Sequence, residues 1–100
     1  MSKKPLHPAV IVADFMEEYG LSQADLARGL GVPRSAVSEL LQQKRGLSVE
    51  MAVRLGTFFG DGAAIWWNLQ REFDFDSAES SGVVKKLQLQ VKPLLQSPQL

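Results

Sequence analysis

Ser22-Gln23-Ala24-Asp25-Leu26-Ala27-Arg28-Gly29-Leu30-Gly31-Val32-Pro33-Arg34-Ser35-Ala36-Val37-Ser38-Glu39-Leu40-Leu41-Gln42 reads as two short helices joined by a tight turn. Ser22 is a good N-cap, and Asp25 three residues on makes a variant of the capping box. Leu26 and Leu30 lie four apart on one helical face, with the small Ala27 beside them where a second helix crosses closely. Gly31 stops the first helix, since a residue without Cβ takes positive φ easily. Pro33 suits the start of the next helix, where its missing N–H leaves nothing unpaired. Val37, Leu40 and Leu41 then point inward together. Small Ala27, turn Gly31 and buried Val37, spaced four and six apart, form the pattern of a helix-turn-helix.

The outward face of the second helix carries the chemistry. Arg34, Ser35, Ser38, Glu39 and Gln42 are all polar, and none breaks a helix. Arginine pairs in bidentate fashion with guanine, glutamine pairs with adenine, and the Glu39 carboxylate either accepts from the cytosine amino group or repels phosphate and so restricts register. Serine hydroxyls serve bases or phosphates. Gln23 opens the first helix, where free N–H groups favour a phosphate. Lys44 and Arg45 follow the second helix and are placed to meet the DNA backbone, setting affinity and salt dependence but not sequence choice. The candidate DNA-contacting set is therefore Gln23, Arg34, Ser35, Ser38, Glu39, Gln42, Lys44 and Arg45. The plainer alternative is an α-hairpin whose Ala27 and Gly31 serve packing alone, with Lys44 and Arg45 a solvated loop pair.

Outside this motif the pattern stays helical. Pro8 to Tyr19 repeats Val10, Ile11, Phe15 and Met16 at helical spacing and ends at Gly20. Ser48 caps a segment reaching Phe59, with Met51, Ala52, Leu55 and Phe58 or Phe59 as its apolar stripe. Gly60-Asp61-Gly62 breaks the chain, and a fifth helix is expected from Ala63 to about Phe73. Ser77 to Gly82 reads as a loop. Val83 to Lys92 fits a helix through Val84, Leu87 and Val91, yet Leu87 to Lys92 also alternates as a strand does; helix is favoured. Residues after Leu95 are expected to be loose.

The 100 residues fit one ordinary globular unit, 45% hydrophobic and 22% charged. There is no cysteine, which excludes disulfides, thiolate metal sites and cysteine nucleophiles. His7 is the sole histidine, and a local hydrogen bond at the mouth of the first helix suits it better than a metal. No paired carboxylates, Ser–His pair or phosphate-cradling loop marks an enzyme, and no cofactor or metal is expected. No apolar run approaches a membrane span, and the basic start leads into no signal core, so a cytoplasmic protein is expected. Formal net charge is zero, which counts against nucleic-acid binding. Its distribution points the other way. Residues 23–45 hold Arg28, Arg34, Lys44 and Arg45 against Asp25 and Glu39, a local +2, and Lys3 and Lys4 add to the basic side. Glu72, Asp74, Asp76 and Glu79 are purely acidic, so two faces with different partners are expected.

From Leu6 to about Phe75 the chain resembles the HigA-type antitoxins, within the xenobiotic-response-element class of helix-turn-helix regulators. The matching stretches are L-H-P at Leu6–Pro8, G-L-S-Q-A-D-L-A at Gly20–Ala27 and G-V-P-R-S-A-V-S-E-L at Gly31–Leu40. K-R-G-L-S at Lys44–Ser48, A-V-R-L at Ala52–Leu55, W-W-N-L-Q at Trp66–Gln70 and F-D-F at Phe73–Phe75 complete them. The pairing of L-H-P before the motif with W-x-N-L-Q after it is the specific part. The resemblance implies a five-helix core, a homodimer on a palindromic operator in its own promoter, and a partner toxin, typically a ribosome-dependent mRNA endonuclease. Two departures stand out. Gly62-Ala63 replaces the usual Ser-Pro, which weakens the cap of the fifth helix, and Trp67 replaces a common Leu or Met.

The fold expected is all-α: a five-helix, lambda-repressor-like helix-turn-helix domain over residues 1–76, with a C-terminal extension over 77–100 carrying an extra helix. Adjacent tryptophans project about 100° apart on a helix. Trp66 is assigned to the core with Leu69, Phe73 and Phe58, while Trp67, Phe73 and Phe75 are assigned to a dimer or partner interface, the plainer alternative for Trp67 being a half-exposed residue at the core edge. The functional expectation is an operator-binding antitoxin. Its rivals are a stand-alone repressor without a toxin and an interaction module that has lost DNA binding.

Overall fold

The computed structural model describes residues 5–95, and Lys3, Lys4 and the residues after Leu95 lie outside them. Six helices follow one another: α1 (Pro8–Tyr19), α2 (Gln23–Leu30), α3 (Arg34–Leu41), α4 (Val49–Phe59), α5 (Ala63–Ser80) and α6 (Val83–Gln90). Among the described residues there is no strand.

Each boundary has a local cause. His7 caps α1, its Nδ1 accepting from the Ala9 N–H at 3.0 Å, the bond expected at that position. Ser22 and Asp25 form the full reciprocal box at the start of α2, both bonds 3.0 Å long. Gly31 closes α2 in the left-handed conformation at φ 71°, as the turn requires. Ser48 caps α4 through Met51 N–H. At the start of α5, Gly62 offers no side-chain cap, in line with the Gly62-Ala63 departure.

Two expectations need correction. α5 does not stop near Phe73, and the loop expected over Ser77–Gly82 is helical as far as Ser80. The segment is polar, but it holds no proline and no glycine before Gly82, whose φ of 85° is the real stop. The division expected between residues 76 and 77 therefore falls inside this helix. The ambiguous stretch after it is helix, and Val91 turns extended two residues ahead of Pro93, short of the expected Lys92.

The core gathers Val12, Leu26, Ala27, Leu30, Val37, Leu40, Leu47, Ala52, Leu55 and Trp66. Trp66 is fully buried and meets Phe15 and Phe59 at ring-centroid distances of 5.8 and 5.9 Å, while its Nε1 donates to Asp61 at 2.7 Å. Phe58, expected beside it, instead lies over Gly29, where a Cβ would come within 2.3 Å of the ring. Gly56 is buried in α4 where the backbone at Gly62 and Ala63 crosses it. The radius of gyration is 17.3 Å, against about 13 Å for a compact chain of this length. α6, with no buried residue, packs on α5 and accounts for the elongation.

Candidate nucleic-acid interface

α3 is the short helix on which the candidate site is built. Val37 and Leu40 bury its inner face, and this forces its other residues outward. Arg34 and Ser35 are exposed at its first turn, Ser38 and Glu39 are half-buried, and Gln42 is exposed as the C-cap, one residue past the helix proper. Gln23 stands half-buried at the first position of α2. Lys44 and Arg45 are exposed in the turn that follows α3. All eight expected residues thus come from α2, α3 and the turn after it.

The face is more internally paired than its composition reveals. Gln42 Nε2 donates to Ser38 Oγ at 3.0 Å. Arg45 Nη2 lies 2.6 Å from Glu39 Oε1, so the guanidinium expected to be free for a phosphate is held on α3. Arg28 pairs with Asp25 at 2.8 Å. That bond, with those from Ser22, holds the Asp25 carboxyl down at about 2. Of the four cations between residues 23 and 45, Arg34 and Lys44 make no ion pair among the described residues.

Three supports were not read from the sequence. Arg54 on α4 donates through Nη1 to the Leu30 carbonyl at 2.7 Å, bracing the end of α2 against the turn. It also pairs with Glu50 one turn earlier at 3.1 Å, a contact that i, i+4 spacing can signal, whereas the reach to α2 leaves no such local sign. Gln70 is buried in α5 and accepts from the Leu47 N–H at 2.6 Å, while its Nε2 donates to Asp74. This ties the loop after α3 to α5. Gly29 makes room for Phe58.

Of the residues assigned to an interface, Trp67 is partly buried against the core, and Phe73 is half-buried with its ring edge-on to His7 at 4.9 Å. Phe75 is 59% exposed. Burial pushes the His7 imidazole below its ordinary range, against a smaller opposing pull from Asp74. Among the described residues no group of His, Asp or Glu is placed to hold a metal, and no helix is long and apolar enough to cross a membrane.

Comparison with known proteins agrees with this geometry. Residues 12–60 match the helix-turn-helix family HTH_3. Virulence-associated protein I of Dichelobacter nodosus is 35% identical over 75 residues, which cover 74% of this chain and 69% of that protein. The structure of Pseudomonas aeruginosa antitoxin HigA with the higBA promoter superposes with a TM-score of 0.81 at 37% identity, covering 91% of this chain and 99% of that one. Antitoxin GraA in complex with its operator gives 0.82 at 34% identity, covering 95% and 96%. The short turn at Gly31, the polar outer edge of α3 and these likenesses lead to one conclusion: the chain belongs to the HigA-type antitoxin family of helix-turn-helix proteins.

Proposed function

We propose that this protein is a dimeric, operator-binding transcriptional repressor that also neutralises a partner toxin, working in the cytoplasm. The observation that carries the reading is the outer edge of α3, where Arg34 and Ser35 stand exposed on a helix whose inner residues Val37 and Leu40 are buried. Such a helix fits the major groove, which is wide enough for one and carries a distinct donor and acceptor pattern for each base pair. Arg34 reads guanine, Gln42 reads adenine, and Gln23 and Lys44 hold phosphates. The solved relatives that bind promoter or operator DNA support the DNA half of the reading.

Two such helices related by a two-fold axis meet half-sites about 34 Å apart. Phe75 on α5, with the exposed Val83 and Leu87 on α6, supplies apolar surface for the seam of the dimer or for the toxin, and the partly buried Trp67 and Phe73 are the other two residues of that assignment.

The test is a fluorescence-anisotropy titration against a duplex from the chain's own promoter, with salt as the control. Selective, salt-sensitive binding supports the proposal, and equal binding to a shuffled duplex refutes it. Co-purification with the product of an adjacent small gene, and relief of that product's growth arrest, tests the antitoxin half. Failure there alone leaves a stand-alone repressor.

A further inference from the structure

The pair between Glu39 and Arg45 is built by an unusual turn. Among the described residues Gln43 is the sole non-glycine with positive φ, at 57°. Its N–H donates to the Leu40 carbonyl at 3.0 Å, and the Lys44 N–H donates to the Glu39 carbonyl at 3.1 Å. This is the closing pattern of a helix that normally carries glycine at that point. It turns the chain back so that Arg45 lies over the outer face of α3, its guanidinium on the Glu39 carboxylate. The Arg45 side chain is 69% exposed and the half-buried Glu39 still shows 41% of its side chain, and a solvated pair of this kind adds little to stability.

We propose that Glu39 is a specificity-determining residue that withholds Arg45 from DNA until a base takes its place. The inference rests on the reading of α3 as the helix that enters the major groove. There a carboxylate accepts from the exocyclic amino group of cytosine. A duplex that presents this amino group opposite Glu39 satisfies the carboxylate, and the released guanidinium reaches a phosphate. A duplex without it leaves the pair closed and gives up that phosphate contact. Breaking the pair there strands a carboxylate without a donor beside the DNA backbone. A phosphate contact, ordinarily blind to sequence, becomes conditional on one base.

The test uses two labelled duplexes, one from the chain's own promoter and one shuffled sequence of the same composition. Anisotropy titrations over a salt series compare the unmodified protein, Glu39→Gln, Arg45→Ala and the double variant, with circular dichroism to verify folding. The unmodified protein is expected to show a salt slope steeper by about 0.9 on the promoter than on the shuffled duplex, one phosphate contact's worth. Glu39→Gln is expected to steepen the shuffled-duplex slope by about 0.9 and to tighten that binding roughly three- to tenfold, eroding selectivity. With Arg45→Ala also present, the steepening should vanish. An unchanged shuffled-duplex slope in Glu39→Gln, or a full effect without Arg45, overturns the inference while leaving α3 as the DNA reader. Unmodified protein that binds both duplexes alike overturns the reading of α3 itself, and this inference with it.

Discussion

Arg54 reaches from α4 to the last carbonyls of α2, its Nη1 donating to Leu30 O at 2.7 Å and more weakly to Gly31 O at 3.4 Å. A cation at a helix C-terminus is favoured by the helix dipole and satisfies carbonyls that have no partner within the helix. Replacing Arg54 with alanine is expected to lower unfolding free energy by about 1–2 kcal/mol, read by urea denaturation. Glu50→Ala, which removes only the exposed partner, should change it by less than about 0.5 kcal/mol. Equal effects for the two would contradict the bracing role.

Gly56 gives a sharper test of packing. A Cβ there would sit 2.2 Å from the Gly62 carbonyl carbon and 2.4 Å from the Ala63 nitrogen, both backbone atoms that cannot swing aside. Gly56→Ala must push α4 from the start of α5, at an expected cost of about 2–4 kcal/mol. Gly20, with open space around it and φ 66°, should lose only about 1 kcal/mol on the same change. Melting temperatures of the two variants compare them directly.

His7 makes stability depend on pH. Its Nδ1 accepts a hydrogen bond, so the neutral ring carries its proton on Nε2, and a second proton would abolish the cap of α1. The folded pKa lies below the ordinary 6.5, chiefly because burial disfavours the charged ring. The unfolded chain therefore binds the proton first. Stability is full above about 6.5 and declines as pH falls from there towards the folded pKa. A melting series from pH 7.5 to 5 should show this loss. His7→Asn, which keeps a capping oxygen but does not titrate, should flatten it.

Arg34 and Lys44 should separate on DNA. Arg34→Ala is expected to lose about 1–3 kcal/mol of operator binding and to relax the choice of one base pair. Binding-site selection checks that choice, and an unchanged preference would remove Arg34 from base reading. Lys44→Ala should weaken all duplexes alike and reduce the salt slope by about 0.9.

What the sequence disclosed was whatever its local chemistry determines. Ser22 with Asp25, Pro33, Gly31 and Ser48 mark helix ends within a few residues of themselves, and both ends of α2 and the starts of α3 and α4 fall where those residues put them. Val37 and Leu40 announce the inner face of α3 by spacing, and so identify its outer one. The residues that escaped notice act across the fold. Gln70 finds Leu47 from 23 positions away, and Arg54 finds Leu30 from 24. Neither distance leaves a trace in periodicity. The overrun of α5 has another cause: its last turns are polar, as a loop is, but hold no residue that breaks a helix. The Glu39–Arg45 pair stayed hidden because it depends on Gln43 adopting a conformation its side chain disfavours.

The clasp between Gln70 and Leu47 reaches further than its single bond. It fastens the long helix near the end of the chain to the bend that leaves α3, so removing the Gln70 amide frees that bend from α5 and takes from the Leu47 N–H this acceptor.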